Sequence, residues 1–311
     1  MSQKILTPDV LFETQKVYEA CGHSKVNAGK VLGVSATTVL HRLQEIKIRF
    51  PNGITEKMLE EGPQWTYPRE IKINAKNTRW IIGSDLHLWP GKLPVVYQAF
   101  CKVARSLKVD GVILNGDVID GARISRHPPL RKSGAPSVDK EVEAAKKAIK
   151  ELPKTKYRLW AMGNHDIRID SYIAQNANEL SDYIISLSEH FPDWEMAYAF
   201  NVNGVEVRHR WRGGVHTAYT NTMNSGITMV TGHTHQLQVT AMRDRKGTRY
   251  GIECGMLGDP HGPQFEYTEG TPNRWQQGFV VLTFDDKGNV MPPELCEMVN
   301  GRPVFRGSYV L

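Results

Sequence analysis

Gly163-Asn164-His165-Asp166 follows directly on the run Tyr157-Arg158-Leu159-Trp160-Ala161-Met162. The run is short, mostly apolar and closed by a glycine, which reads as a buried strand. An Asn, a His and an Asp packed into one turn at its end are poor core material, because each carries polar atoms that need partners. Asn and Asp also favour plain turns, so the tetrapeptide alone fits a decorated loop as well as a site. What separates the two readings is recurrence at the ends of other predicted strands.

Working outward, Trp80-Ile81-Ile82-Gly83 reads as a strand and runs into Ser84-Asp85-Leu86-His87. An amphipathic helix over 93–108 follows, then the strand Gly111-Val112-Ile113-Leu114 and the turn Asn115-Gly116-Asp117. Ser137 caps a helix to about 152, which leads into the strand before Gly163. Strands alternating with helices imply parallel pairing and a site at the carboxyl ends of the strands. Beyond the turn, the pattern predicts a helix over 170–190, sheet over 196–202 and 205–210 ending in His209, and a helix over 213–224. The strand Ile227-Thr228-Met229-Val230 then opens into Thr231-Gly232-His233-Thr234-His235. Residues 238–242, 250–254 and 278–284 read as further sheet, with Asp286-Lys287-Gly288-Asn289 as a hairpin-type turn.

Collected, the strand ends offer Asp85, His87, Asp117, Asn164, His165, His209, His233 and His235, so that five of the chain's 11 histidines fall in a few turns. Imidazole, carboxylate and amide-oxygen donors together suit borderline or harder divalent ions. An Asp shared between two ions holds them about 3.5–4 Å apart, the separation used in phosphoryl chemistry.

The ordered motifs D-x-H, G-D, G-N-H-D, a strand-end His and G-H-x-H resemble those of the calcineurin-like metallophosphoesterase superfamily, over residues 79 to about 285. The resemblance implies an α/β (α+β) fold, a β-sandwich of two mixed sheets flanked by helices. It implies that Asp85, His87 and His235 hold a first ion, that Asp117 bridges, and that Asn164, His209 and His233 hold a second. Two divalent cations are the implied cofactors, manganese first, with Fe, Zn, Co, Ni or Mg as alternatives. His216 is a rival to His209, which is preferred because it directly follows Val205-Glu206-Val207. Here the chain reads His-Arg-Trp where the family often has His-Gly. The resemblance also implies that His165 lies on the leaving-group side and donates a proton or a charged hydrogen bond, with Asp166 orienting its other ring nitrogen. Asp120, Arg123, Arg126 and His127 follow Gly116-Asp117 in a loop placed to overhang the site; Arg123, Arg126, His127 and Arg168 are candidate substrate contacts, and guanidinium groups there and at Arg210 and Arg212 beside His209 would suit phosphate.

The first 50 residues have a different grammar. Thr7-Pro8 opens a helix ended by Gly22, Ser24 caps a second that stops at Gly33, and Ser35 caps a third. Residues Ala28 to Val39 resemble a helix-turn-helix, an all-α head whose third helix enters the major groove. Ser35, Thr37, Thr38, His41 and Arg42 would then face DNA, with Lys25, Lys30 and Lys47 near phosphates; a docking or oligomerisation module is the alternative. The expected organisation is a head over 1–50, a linker over 51–77 in which Trp65 and Tyr67 dock on the larger domain, and a phosphoesterase domain over 78–311.

With 311 residues, 40% hydrophobic and 23% charged, the composition is that of a globular chain. The net charge of +6 permits a polyanionic partner. Four scattered cysteines and no CxxC pair argue against a disulfide framework or a thiolate zinc site and point to a reducing cytoplasm. The amino terminus has no apolar h-region and no run is long enough to span a bilayer, so a membrane is not an expected partner. The motifs specify hydrolysis of a phosphate ester better than its substrate. A DNA-reading head favours a DNA phosphodiester. The alternatives are a phosphomonoesterase or small-phosphodiester hydrolase with a docking head, and a DNA-binding regulator whose phosphoesterase body is inert. Cleavage polarity, sequence preference and oligomeric state are not written in these patterns.

Overall fold

Strand β2 (Thr78–Gly83) shows how the larger part of the chain is layered. Trp80 and Ile82 pack into one apolar cluster and Ile81 into another, as a strand of period two must when both its faces are covered. Strand β11 (Gly278–Phe284) repeats this, with Val280, Leu282 and Phe284 on one side and Phe279 and Val281 on the other. Burial on both faces is why such strands read as continuous apolar runs rather than alternating ones.

The computed structural model describes residues 8–49, 53–54, 66–126, 134–179, 184–245, 247–270 and 274–311. The chain divides into two units, Met1–Thr66 and Tyr67–Leu311. The first contains α1 (Pro8–Ala20), α2 (Lys25–Leu32) and α3 (Ala36–Arg49). Ser24 caps α2 by accepting the Asn27 N–H, and Gly33 closes it in the left-handed conformation. Ser35 accepts the Thr38 N–H at the start of α3. Leu11, Ala28, Val39, Ile46 and Ile54 are buried in this unit.

In the second unit one sheet has the order β14 (Ser308–Tyr309), β13 (Arg302–Phe305), β12 (Glu294–Val299), β11, β2, β3 (Gly111–Leu114), β4 (Tyr157–Ala161), β5 (Glu195–Ala197). Strands β2 to β5 run parallel and β11 antiparallel to β2. The other sheet has the order β1 (Ile71–Ile73), β6 (Ala199–Val202), β7 (Val205–Arg208), β8 (Thr228–Thr231), β10 (Gly247–Cys254), β9 (Leu237–Asp244). Helices α4 (Val95–Ser106) and α5 (Val138–Lys150) contribute Val96, Phe100, Val103, Val142 and Ala145 to the outer core of the eight-stranded sheet. Between the sheets, Trp80, Ile82, Ile113, Leu159, Phe200, Val207, Val230 and Ile252 form the second core.

Four features differ from the sequence reading. The stretch 196–202 is not one strand: β5 belongs to the first sheet and β6 to the second, so the chain changes sheet at Tyr198. The helix over 170–190 becomes α6 (Arg168–Asn176) and α7 (Leu187–His190), the latter begun by a reciprocal cap between Ser186 and Glu189. Residues 71–73, expected in a linker, form β1 and pair with β6. Tyr67 is buried and its hydroxyl donates to Asp170 Oδ2 at 3.0 Å, whereas Trp65 lies outside the described residues. Helix α8 (Thr217–Ser225) starts later than expected. Among the described residues no helix is long and apolar enough to cross a membrane.

Candidate metal centre

The carboxyl ends of five parallel strands, three from one sheet and two from the other, deliver the polar side chains. Asp85 and His87 follow β2, Asp117 follows β3, Asn164 and His165 follow β4, His209 follows β7, and His233 and His235 follow β8. Asp85, His87, Asp117, His233 and His235 all hold positive φ, between 41° and 70°. Non-glycine residues rarely adopt this region, and such strain persists only where the surrounding structure enforces it. The backbone bonds Asp85 N–H to Gly116 carbonyl and His87 N–H to Asp117 carbonyl, at 3.0 and 2.9 Å, stitch two of these ends together.

Among the described residues three groups have potential ligand atoms within 4.8 Å of each other: Asp85, His87 and His235; Asp117, His209 and His233; and His87, Asp120 and His165. The first two hold the ligands that the strand-end motifs lead one to expect. His235 Nε2 lies 3.1 Å from Asp85 Oδ1, and His209 Nε2 lies 3.1 Å from Asp117 Oδ2. Asp117 Oδ2 is also 4.0 Å from His87 Nε2, between the groups. Asp85 Oδ1, His87 Nε2, Asn164 Oδ1 and His209 Nε2 are buried without a hydrogen-bond partner. Orphaned buried polar atoms are costly, and these four are lone-pair donors converging on one place, which is what divalent cations require. The opposite edges are already occupied. Ser84 Oγ and the His233 N–H donate to Asp85 Oδ2, the His165 N–H donates to Asp117 Oδ1, and His209 Nδ1 donates to the Asn115 carbonyl at 2.7 Å. Spending those edges on the protein aims the remaining ones inward.

Electrostatics follow from the crowding. Burial pushes Asp85 up, but the His235 and His209 charges bring it down to about 2. Burial opposes ionisation of Asp117 too, and His209 and His165 hold it well below the usual carboxylate range. His209, despite burial, is raised to about 10 by Asp117 and Asp85, so a cation taking the Nε2 lone pair must displace a proton. His233 is lowered to about 4 by burial and the neighbouring His209.

Asp166 does not take the role its place beside His165 suggests. Its buried carboxylate accepts the N–H groups of Asp117, Val118 and Gly163, each at 2.9 Å, and the Trp160 indole N–H at 3.0 Å. It pins two strand-end loops and has no described contact with the His165 ring. The residue at His165 is Asp120: His165 Nδ1 lies 3.0 Å from its Oδ1 and His87 Nδ1 2.9 Å from the same oxygen. One carboxylate thus holds the Nδ1 of both rings and leaves both Nε2 atoms facing the site. Burial raises and the hydrogen bonds of His165 and His87 more than reverse this, so Asp120 stays ionised well into acid. For His165, burial lowers the pKa, and the Asp117 and Asp120 carboxylates outweigh it and raise it.

Of the candidate phosphate contacts, Arg168 reaches the site, its Nη2 3.1 Å from His165 Nε2 and its Nη1 donating to the Asp120 carbonyl. Arg123 is spent on the Ala135 carbonyl, Arg126 stands exposed, and His127 lies outside the described residues. Arg210 and Arg212 are exposed beyond His209. His216 is exposed before α8 and outside both groups, leaving His209 as the strand-end histidine of the site. In the first unit Arg42 is half-buried and donates to Thr14 Oγ1, and Ser35 and Thr38 hydroxyls bond each other; these three are turned to the helices' own structure. Thr37, His41, Lys25, Lys30 and Lys47 are exposed.

Glu141 does not figure among the residues the sequence singles out. Fully buried on α5, it accepts the N–H groups of Asp120, Gly121 and Ala122 at 2.9, 2.6 and 3.2 Å, holding the loop that carries Asp120. Burial, with the Asp120 charge added, pushes its pKa from 4.5 up to about 7. The native state then binds this proton more tightly than the unfolded chain, so stability is full below pH 4.5 and declines as pH rises toward 7. In urea unfolding Glu141→Gln, whose amide N–H₂ must face one of these backbone donors, should start below the wild type in acid and then close on it by up to about 3 kcal/mol across that window, because it cannot titrate. A gap that does not change with pH would show that Glu141 titrates normally.

The model of the calcineurin-like phosphoesterase family matches residues 79–212. Residues 79–212 are thus similar to that family, and they lie within the mixed α/β unit of two sheets flanked by helices. The Gene 54 proteins of Mycobacterium phages L5 and D29 are each 30% identical over 164 residues, covering 45% of this chain and 61% of theirs. The chain thus spans less than two thirds of the length of these curated relatives. A crystal structure of Vps29 with zinc from Entamoeba histolytica aligns with 75% of this chain and 99% of that chain, at 11% identity and a TM-score of 0.39.

Proposed function

We propose that the chain is a two-metal phosphodiesterase that cleaves DNA, with a DNA-reading helical head. The observation that carries this reading is Asp117 Oδ2, which lies 3.1 Å from His209 Nε2 and 4.0 Å from His87 Nε2 and so can serve two ligand groups at once. Asp85, His87 and His235 would hold one divalent ion, Asn164, His209 and His233 the other, and Asp117 both; manganese is our first choice. Such a pair supplies positive charge to phosphate oxygens and a water acidic enough to attack phosphorus near neutral pH. The chain's own residues do the rest. Arg168 offers its guanidinium to a non-bridging phosphate oxygen. His165, held at Nδ1 by Asp120, would pass a proton from Nε2 to the leaving oxygen once the Arg168 guanidinium beside that nitrogen turns to phosphate. The exposed Thr37, His41, Lys25, Lys30 and Lys47 would meet DNA.

The test is a substrate panel with Mn²⁺: single-stranded DNA, duplex DNA, bis-p-nitrophenyl phosphate and p-nitrophenyl phosphate. The expected outcome is hydrolysis of the diester and cutting of at least one DNA form, both abolished by EDTA. Release from the monoester alone would remove the nuclease reading and leave a phosphomonoesterase.

A further inference from the structure

A cavity of about 500 Å³ opens beside the metal centre, lined by Val215, His216, Gln236, Gln238, Arg274, Trp275 and Gln276. Its position is set by two contacts. Gln236 directly follows His235, and the Trp275 ring packs against the His235 imidazole with centroids 4.5 Å apart. Its size is in the range of small-ligand sites. Its chemistry is unusual for a surface dent, with three side-chain amides, an imidazole and a guanidinium around one indole. Gln236 and Gln238 are already organised: the Gln236 amide donates to the Gly214 carbonyl at 3.2 Å and the Gln238 amide to Gln236 Oε1 at 2.8 Å. Gln276 Oε1 accepts the Leu237 N–H at 3.2 Å. This fixes the amides in place while leaving further donor and acceptor positions toward the cavity.

The segments leading into these lining residues carry charge and aromatic surface, and Phe265 packs on both Tyr267 and Trp275. Arg210, Trp211 and Arg212 follow His209 and are exposed, and the Arg208 guanidinium lies 5.5 Å from the Trp211 ring centre. Tyr219 on α8 is 48% exposed and Tyr267 66%. Cationic side chains interleaved with exposed rings are the pattern by which single strands are held, through backbone charge and base stacking. A duplex keeps its base faces stacked and its Watson–Crick edges paired, so it would fill such a pocket only at the cost of extruding a base, whereas a single strand has bases to offer.

We infer that this cavity is a nucleobase subsite, taking an unpaired base next to the scissile phosphate of a single-stranded nucleic acid. The inference rests on the phosphodiesterase reading and names the strand form of its substrate. Arg274 and Gln238 meet the base edge, and Trp275 provides an aromatic wall. Neither Arg274 nor Gln238 is a ligand in either metal group, so both can be changed without touching the reacting atoms.

The experiment compares Gln238→Ala/Arg274→Ala with the full-length wild type, both loaded with Mn²⁺, on three substrates. Bis-p-nitrophenyl phosphate has no base, the p-nitrophenyl ester of thymidine 5′-monophosphate has one, and a short single-stranded oligodeoxynucleotide has several. The expected result is an unchanged kcat/KM on the baseless diester and a KM raised about tenfold on the other two, as for the loss of one or two modest hydrogen bonds. Equal values on all three substrates, or an equal loss on all three, would overturn the subsite. A loss on the thymidine ester with none on the oligonucleotide would overturn the polynucleotide part of the inference. Failure of the wild type to hydrolyse the baseless diester would instead defeat the phosphodiesterase reading itself, so the two failures are distinguishable.

Discussion

Asp117→Asn is expected to lose both metal ions and about 10⁴-fold in turnover, the scale on which removing one member of a cooperating catalytic unit acts. The substitution is chosen to spare the fold. Asn tolerates the left-handed backbone that residue 117 holds at φ 51°, and its amide oxygen can still accept the His165 N–H now taken by Asp117 Oδ1. What it removes is the charge at Oδ2, the atom within reach of His209 and His87. A neutral amide offers one oxygen and no charge where the two proposed cations would need an anionic bridge. Metal analysis after dialysis against Mn²⁺ should fall from two ions per chain to fewer than one, with the thermal transition of the metal-free protein little changed. An Asp117→Asn protein that keeps both ions and wild-type turnover would show that the two groups are not joined through this residue.

Most of this site is legible in the strand-end grammar. Parallel strands put their carboxyl ends on one edge, so Asp85, Asp117 and Asn164 must meet once strands and helices alternate as they do here. What period and propensity do not show is which sheet a strand joins. The stretch 196–202 has one continuous apolar pattern, yet its two halves pair with β4 and with β1 and β7. Pairing partners are chosen by tertiary packing, which local pattern does not carry. Nor does the sequence announce left-handed backbone at Asp and His as it does at glycine. Gly163 is different: a methyl group there would collide with the Asp117 carboxylate and backbone, so the glycine of the G-N-H-D turn is required by close approach.

Asp120 and Glu141 mark the other limit. Asp120 stands three residues past Asp117 in an irregular loop, and nothing in its neighbours distinguishes an oriented carboxylate from a solvated one. Glu141 does leave a signal. It falls on the same helical face as Ala145 and Ala148, both buried, and an acid on a buried stripe must have donors to meet. The backbone N–H groups of 120–122 are those donors. Asp166 departs from expectation for a related reason. Adjacency in sequence to His165 suggests an imidazole partner, whereas the turn directs the carboxylate back toward Trp160 and the β3 loop.

With Asp120 rather than Asp166 behind the imidazole, a second large effect is expected. His165→Ala should keep both ions and lose about 10²–10⁴-fold in turnover on DNA, the range of a missing general acid. The loss should depend on the leaving group. A deoxyribose alkoxide needs a proton as it departs, while p-nitrophenolate leaves as a stable anion, so bis-p-nitrophenyl phosphate should suffer far less. Asp120→Asn should share this leaving-group dependence, because it loosens His165 at Nδ1, and should in addition weaken metal binding through His87, by about 10–100-fold. Asp166→Asn should not. Replacing its carboxylate sets an amide N–H₂ against backbone donors, at about 1–3 kcal/mol for each donor left unsatisfied, and so lowers Tm and damages all substrates alike. A collapse of metal content in His165→Ala would make its ring a ligand, in the group it forms with His87 and Asp120. Leaving-group dependence in Asp166→Asn but not in Asp120→Asn would return the orienting role to Asp166.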